Sequence, residues 1–263
     1  MNMNRIDKEM GYALVTGASS GIGYEFAKQL IELGYSVIIV SSNKAKLTAA
    51  YLELTQLAKS KNSNNEVYML VQDLSKQNGY IELYRQLIDI DKSVDILINN
   101  AGIGYVGEFI KGNPKTQEEM LNLNMNNLVL FTHCIANDMK DRGKGGRILN
   151  VASNGAFQPG PYISTYYATK SFVLNFSLAL RIELKRYNIV VSTLCPGATI
   201  SDFAKRAGKK QLKGSMSAKK VAQIGLHGLL RGKRFILPGI GNKAALLIPR
   251  RIRTFAIERM YRC

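Results

Sequence analysis

"TGASSGIG", residues 16–23, stands between an apolar run, "YALVTG" (12–17), and a patterned one, "YEFAKQLIELG" (24–34). In the second, Phe26, Ala27, Leu30, Ile31 and Leu33 recur at helical spacing, and Gly34 supplies a C-cap. Strand, glycine loop and helix in that order turn the unpaired N–H groups of a helix start toward whatever the loop encloses, which is an anion site. Gly17 permits the tight turn, Gly21 lets a pyrophosphate approach the backbone, and Gly23 lets helix pack on strand. Ser19, Ser20 and Ile22 complete the set of loop residues expected at a dinucleotide.

Outward from this loop the same alternation continues. Further β-rich runs are "YSVIIV" (35–40), "VYMLVQ" (67–72), "VDILINN" (94–100), "RILNVAS" (147–153), "IVVSTLCPG" (189–197) and the shorter "RFILPG" (234–239). Most are continuously apolar, as strands buried on both faces are. Helical patterns separate them and hairpin signals do not, so the crossovers are right-handed and the sheet parallel. The prediction is an α/β chain, one Rossmann-type doubly wound domain over residues 1–263 with about seven strands. Within it, residues 198–220 are expected to form a substrate lid and residues 239–263 a basic C-terminal extension.

Composition sets limits on function. The longest apolar runs, such as "VIIV" and "ALLI", are far too short to span a bilayer, and the start, "MNMNRIDKEM", lacks the apolar stretch of a signal peptide. A cytoplasmic location is expected. Cys134, Cys195 and Cys263 show neither disulfide nor metal spacing and read as small hydrophobes or, for Cys263, a free end. His133 and His227 have no acidic or serine partner at a recognisable spacing, so no metal site is expected. The net charge of +17 is concentrated: residues 203–263 hold 16 basic residues against Glu258, leaving 20 basic and 18 acidic residues before them.

The glycine spacing, with "QDLS" carrying Asp73, "NNAG" (99–102) and "CPG" (195–197) following in order, resembles the short-chain dehydrogenase/reductase family along essentially the whole chain. The resemblance implies that Asp73 and Leu74 hold an adenine, that Asn100, Ala101 and Gly102 line a dinucleotide, and that Pro196, Gly197 and Thr199 meet its nicotinamide. It also implies a small carbonyl or alcohol substrate and a homo-oligomer. After the second strand a carboxylate would accept from a ribose 2′-OH and repel a 2′-phosphate. The chain reads "VSSNKAK" there, with Ser42, Asn43, Lys44 and Lys46 and no acid, so NADP(H) is favoured over NAD(H). It departs from phosphate-binding relatives in lacking an arginine near Ser42, and a lysine is a less specific clamp than a guanidinium fork.

"STYYATKS" (164–171) carries the chemistry. Hydride transfer to a ketone makes an alkoxide that needs a proton, and a phenol with a pKa near ~10 needs a neighbouring cation to cycle at neutral pH. Lys170 lies four residues after Tyr166 and three after Tyr167, and helical spacing tolerates either. The resemblance decides: the family pairs a serine with the tyrosine of Y-x-x-x-K at the separation of Ser153 from Tyr166. It makes Tyr166 the acid, Ser153 the group that fixes the carbonyl oxygen, Lys170 the cation that also grips the nicotinamide ribose, and Asn124 the residue that anchors a proton-carrying water. Tyr167 is expected as packing or pocket wall, and Asp202 and Phe203 as the lid residues facing substrate.

Three readings stay open for the arginine-laced end, "GIGNKAALLIPRRIRTFAIERMYRC" (239–263). It packs as a terminal helix or an oligomer interface, lies on an anionic membrane surface, or meets nucleic acid, the least supported because no recognition fold accompanies the charge. Arg253 and Arg259 intrude on its apolar side. The expected function is an NADP-dependent carbonyl/alcohol oxidoreductase. A low-turnover cofactor-binding or membrane-docking protein on a dehydrogenase fold is the alternative.

Overall fold

The computed structural model describes residues 11–61, 65–208 and 214–262. The polar start, part of the expected lid (209–213) and Cys263 lie outside the described residues.

Every apolar run expected as a strand forms one. β1 (Tyr12–Thr16), β2 (Val37–Ser41), β3 (Val67–Val71), β4 (Val94–Asn99), β5 (Gly146–Val151) and β6 (Ile189–Leu194) lie in one sheet. Two more strands, β7 (Thr199–Ile200) and β8 (Met216–Ser217), form a separate parallel pair, and β9 (Phe235–Ile236) closes the main sheet. The seven-stranded order is β3-β2-β1-β4-β5-β6-β9, all parallel. Register runs Leu14 opposite Ile38 on one side and Leu97 on the other, then Leu97 to Ile148 and Ile148 to Val191. The winding reverses between β1 and β4, and such a switch point leaves a crevice at the strands' carboxyl ends.

Alternate residues of these strands feed two cores. Ala13, Val15, Val37, Ile39, Ile96 and Ile98 meet α1 (Gly21–Glu32), α2 (Lys44–Ser60) and α8 (Ala218–Leu230). Leu14, Ile38, Val40, Leu97 and Ile148 meet α3 (Gly79–Asp89) and α5 (Asn127–Arg142) on the other face, with α6 (Ser164–Leu184) beside them. Each buried Leu, Ile or Phe contributes about 1.5–3 kcal/mol, which explains why continuous apolar strands appear only where helices cover both faces. The remaining helices are α4 (Pro114–Leu121), α7 (Asp202–Arg206), α9 (Ile240–Ala245) and α10 (Arg250–Tyr261).

A polar ladder crosses this core. Asn99 Nδ2 donates to Thr132 Oγ1 and Asn150 Oδ1, both at 2.8 Å, and Asn150 Nδ2 donates to Ser177 Oγ at 2.9 Å. All four residues are buried. The ladder pins β4, β5, α5 and α6 together immediately below the crevice.

Candidate active site

The crevice is a cavity of about 400 Å³. At one end, Gly17 turns at φ 68° and Gly21 at φ 59°, conformations that favour glycine. A Cβ on Gly23 would collide with the Gly17 carbonyl, so the helix lies against the loop as closely as backbone allows. Asn100 locks this loop to β4: its Nδ2 donates to Thr16 O at 3.0 Å, and Thr16 Oγ1 accepts from the amides of Asn100 and Ala101. Ser20, the N-cap of α1, makes no side-chain cap bond, and the first turn of α1 carries no acid. The amides of the helix start therefore face the cavity, and a pyrophosphate fits this cradle.

Gly17, Ser19, Ser20, Gly21 and Ile22 line the cavity, as do Ser42, Asp73 and Leu74 along its length. Asn100, Ala101 and Gly102 form its floor, and Pro196, Gly197 and Thr199 its far wall. Gly23 and Asn43 are not among the cavity-lining residues, Gly23 because it has the packing role expected of it. Gly23 is the packing contact behind the loop. Asn43 is the N-cap of α2, its Oδ1 accepting from Lys46 N at 2.9 Å, because a short amide before a helix finds a backbone donor in the first turn. Asp73 is likewise committed in part, accepting from the amide and hydroxyl of Ser75.

At the other end stand Ser153, Tyr166 and Lys170. Ser153 follows β5 and accepts from Gly155 N at 3.1 Å. Tyr166 and Lys170 lie one turn apart on α6. The Ser153 side chain bears on the Tyr166 phenol, and both residues line the cavity. Lys170 Nζ donates to Val151 O at 2.9 Å and sits 5.8 Å from the centre of the Tyr166 ring. Burial pushes the ionisation of Tyr166 well above the ordinary tyrosine value, and the Ser153 bond pulls the other way. Desolvation is the larger of the two effects.

Asn124 lies on a π-helical turn, Asn122–Asn126, between α4 and α5. Its Oδ1 accepts from Ile103 N at 3.1 Å, and its Nδ2 donates to Ile103 O and Thr169 Oγ1. A Cβ placed on Gly102 would lie 3.2 Å from Asn124 Oδ1 and 3.4 Å from Lys170 Nζ, so the two side chains flank that glycine. The crowding asparagines separate by role. Asn127 donates to the carbonyls of Leu74 and Lys76, holding the loop after β3, and Asn126 donates to Asn122.

The two adjacent tyrosines both line the cavity but meet different neighbours. The Tyr167 ring is seated over Gly155 and Gly160, where a Cβ would lie 2.7 and 2.5 Å from ring atoms, and it packs in one cluster with Tyr261. Asp202 and Phe203 both line the cavity but meet different neighbours. Phe203 packs its ring 5.4 Å from that of Tyr166, whereas Asp202 turns to Lys46, drawn by the opposite charge at 3.1 Å.

The C-terminal segment roofs this end, which its sequence left open. Ile257, Met260 and Tyr261 of α10 line the cavity, and Ile257 and Tyr261 pack with Ile103, Tyr105, Val106 and Phe203 around Met120, Ile163, Tyr166 and Tyr167. Arg253, one of the intruding arginines, is a peg into the protein: Nη1 donates to Gln158 Oε1 at 2.6 Å and Nε to Ile248 O at 3.0 Å. Asn242 also went unnoticed in sequence; it packs against Gly197 and donates to Pro238 O at 2.6 Å.

Cys195 is fully buried and its thiol is pushed up to about 12 by desolvation. His133 and His227 are exposed on α5 and α8. Among the described residues no group of three His, Cys, Asp or Glu side chains could hold a metal ion, and no helix is long and apolar enough to cross a membrane.

Residues 11–212 match the short chain dehydrogenase family. A very-long-chain 3-oxoacyl-CoA reductase of Coccidioides immitis (strain RS) is 36% identical over 198 residues, 74% of this chain and 55% of that protein. The match thus spans little more than half of that relative's length. Among solved structures, a short-chain dehydrogenase from Sphingobium yanoikuyae in complex with NADPH has a TM-score of 0.80 at 28% identity, covering 94% of this chain and 96% of that one. A 3-ketoacyl-(acyl-carrier-protein) reductase from Brucella melitensis complexed with NADH has a TM-score of 0.76 at 26% identity, covering 88% and 98%. The strand order, the glycine cradle and the Ser153–Tyr166–Lys170 grouping agree with these similarities: the chain belongs to the short-chain dehydrogenase/reductase family.

Proposed function

We propose that this chain is an NADP(H)-dependent oxidoreductase that interconverts a carbonyl and an alcohol, with Tyr166 as general acid and base. One observation carries the reading: Ser153, Tyr166 and Lys170 line the same cavity as the glycine cradle. The nicotinamide, when bound, supplies or accepts the hydride. Tyr166 gives its proton to the substrate oxygen in reduction and takes it back in oxidation, while Ser153 bonds that oxygen and fixes its approach. Lys170 holds the ribose and adds positive charge beneath the phenol, and Asn124 beside it anchors the water path that returns protons.

NADP(H) is favoured because positions 41–46 carry two serines, an asparagine and two lysines but no carboxylate. Lys46 is the residue we assign to the 2′-phosphate. A lipophilic carbonyl, such as the 3-oxoacyl chain named for the Coccidioides relative, suits the roof of Tyr105, Val106, Phe203, Ile257 and Met260.

The test is NADPH oxidation with a panel of ketones and 3-oxoacyl thioesters, on the wild type and Tyr166→Phe. Turnover that Tyr166→Phe abolishes supports the reading. Cofactor affinity without turnover on any substrate would leave a binding protein instead.

A further inference from the structure

The inner face of α10 is spent on the pocket, through Arg253, Ile257 and Tyr261 at helical spacing. Its outer face is not. Ile252 is 58% and Phe255 57% exposed, and Leu247 and Ile248, just before the helix, are 87% and 44% exposed. Positions 252, 255, 259 and 262 recur at intervals of three and four, so Ile252, Phe255, Arg259 and Arg262 share one stripe, and Ile248 lies just ahead of it, before the extended Pro249. Arg251 is exposed beside it, and the Arg259 guanidinium lies 5.9 Å from the Phe255 ring centre. Residues 239–262 hold six basic residues and one acid.

We infer that this outer face docks on an anionic lipid surface, with Leu247, Ile248, Ile252 and Phe255 entering the headgroup boundary and Arg251, Arg259 and Arg262 meeting lipid phosphates. Charge complementarity selects this occupant. A second copy, paired face to face, would set two rows of arginines against each other. A nucleic acid would satisfy the arginines but strand four large apolar side chains against phosphates. A bilayer boundary takes both, because guanidinium groups reach outward while apolar bodies sink. Because the inner face of the same helix roofs the cavity, docking brings the substrate end of the pocket to the bilayer. The docking is independent of the catalytic reading; delivery of a lipophilic carbonyl from the membrane rests on it.

The experiment is co-sedimentation of the full chain with phosphatidylcholine vesicles, with and without phosphatidylglycerol. Wild type should bind the anionic vesicles at least about tenfold more tightly than the neutral ones. Ile252→Ser/Phe255→Ser and, separately, Arg251→Gln/Arg259→Gln/Arg262→Gln should each weaken binding on the order of tenfold. Both variants should keep wild-type circular dichroism and wild-type turnover of a short soluble ketone, which separates failure of docking from failure of the enzyme reading. Absence of vesicle binding by wild type overturns the inference. So does unchanged vesicle binding by the folded serine variant, which would mean that charge alone acts, as toward any polyanion. A serine variant that turns a dimer into a monomer, with wild type indifferent to vesicles, would assign the face to a second copy.

Discussion

Lys46 Nζ lies 3.1 Å from Asp202 Oδ2, tying the first turn of α2 to the start of α7 where β2 opens into the cavity. A 2′-phosphate on Lys46 would compete with that carboxylate. Lys46→Ala should therefore raise KM for NADPH about tenfold or more and leave KM for NADH nearly unchanged, as a lost charged hydrogen bond implies. Asp202→Asn should lower KM for NADPH and change stability by less than about 1 kcal/mol, because the pair is exposed. Steady-state kinetics with both cofactors checks this; equal effects on the two would remove Lys46 from phosphate binding.

The adjacent tyrosines should separate cleanly. Tyr166→Phe keeps the ring against Phe203 and removes the proton donor, so kcat should fall by roughly 10²–10⁴ while cofactor still binds. Tyr167→Phe keeps the ring in its cluster with Tyr261 and should move substrate KM more than kcat. The comparison is kcat at saturating NADPH for both variants, and a dead Tyr167→Phe enzyme would reverse the assignment.

The pH dependence follows from the burial of Tyr166. A phenol whose ionisation is raised stays protonated, and so able to donate, to higher pH. kcat/KM for reduction should hold level through pH 8 to 9, its alkaline limb lying above the ordinary tyrosine pKa of about 10. Oxidation needs the phenolate and should rise across the same interval. A reduction limb centred near pH 7 in the wild type would show that the free enzyme holds a much more acidic tyrosine.

The asparagine ladder makes a prediction about stability alone. Asn150→Ala leaves Asn99 and Ser177 without a shared partner in the core, which should cost about 1–3 kcal/mol. Urea unfolding measures it, and a loss below about 0.5 kcal/mol would mean that the cavity relaxes or admits water.

Thiol reactivity gives a simple check on burial. Cys195, fully buried and held protonated, should resist iodoacetamide in the folded protein, while the half-buried Cys134 reacts faster. Peptide mapping after a timed pulse distinguishes them.

The seven strands were legible because double burial writes continuous apolar runs into the sequence, Tyr166 and Lys170 because their spacing lies within one helix, and Ser153 only through the resemblance that pairs it with Tyr166. The pairing of Asp202 with Lys46 was not legible because the two lie far apart in the chain and only folding sets them side by side. Asn43 looked like a ligand because a cap and a polar contact use the same side chain. Asn99 and Asn150 sit in runs that read as plain strands, and nothing local marks them as partners. Arg253 disturbed the amphipathic pattern of the tail for a reason visible only in three dimensions: it is bonded to Gln158, in another loop.

Part of the roof over the substrate end, Ile257, Met260 and Tyr261, lies beyond residue 212, where the family match ends, and part, Tyr105, Val106 and Phe203, lies within it. The closing helix is thus one of two stretches that wall this end, and it carries none of Ser153, Tyr166 and Lys170. Mutational drift in the closing helix can retune which carbonyl is admitted without touching proton transfer, and a graft of that helix between paralogues should carry preference with it.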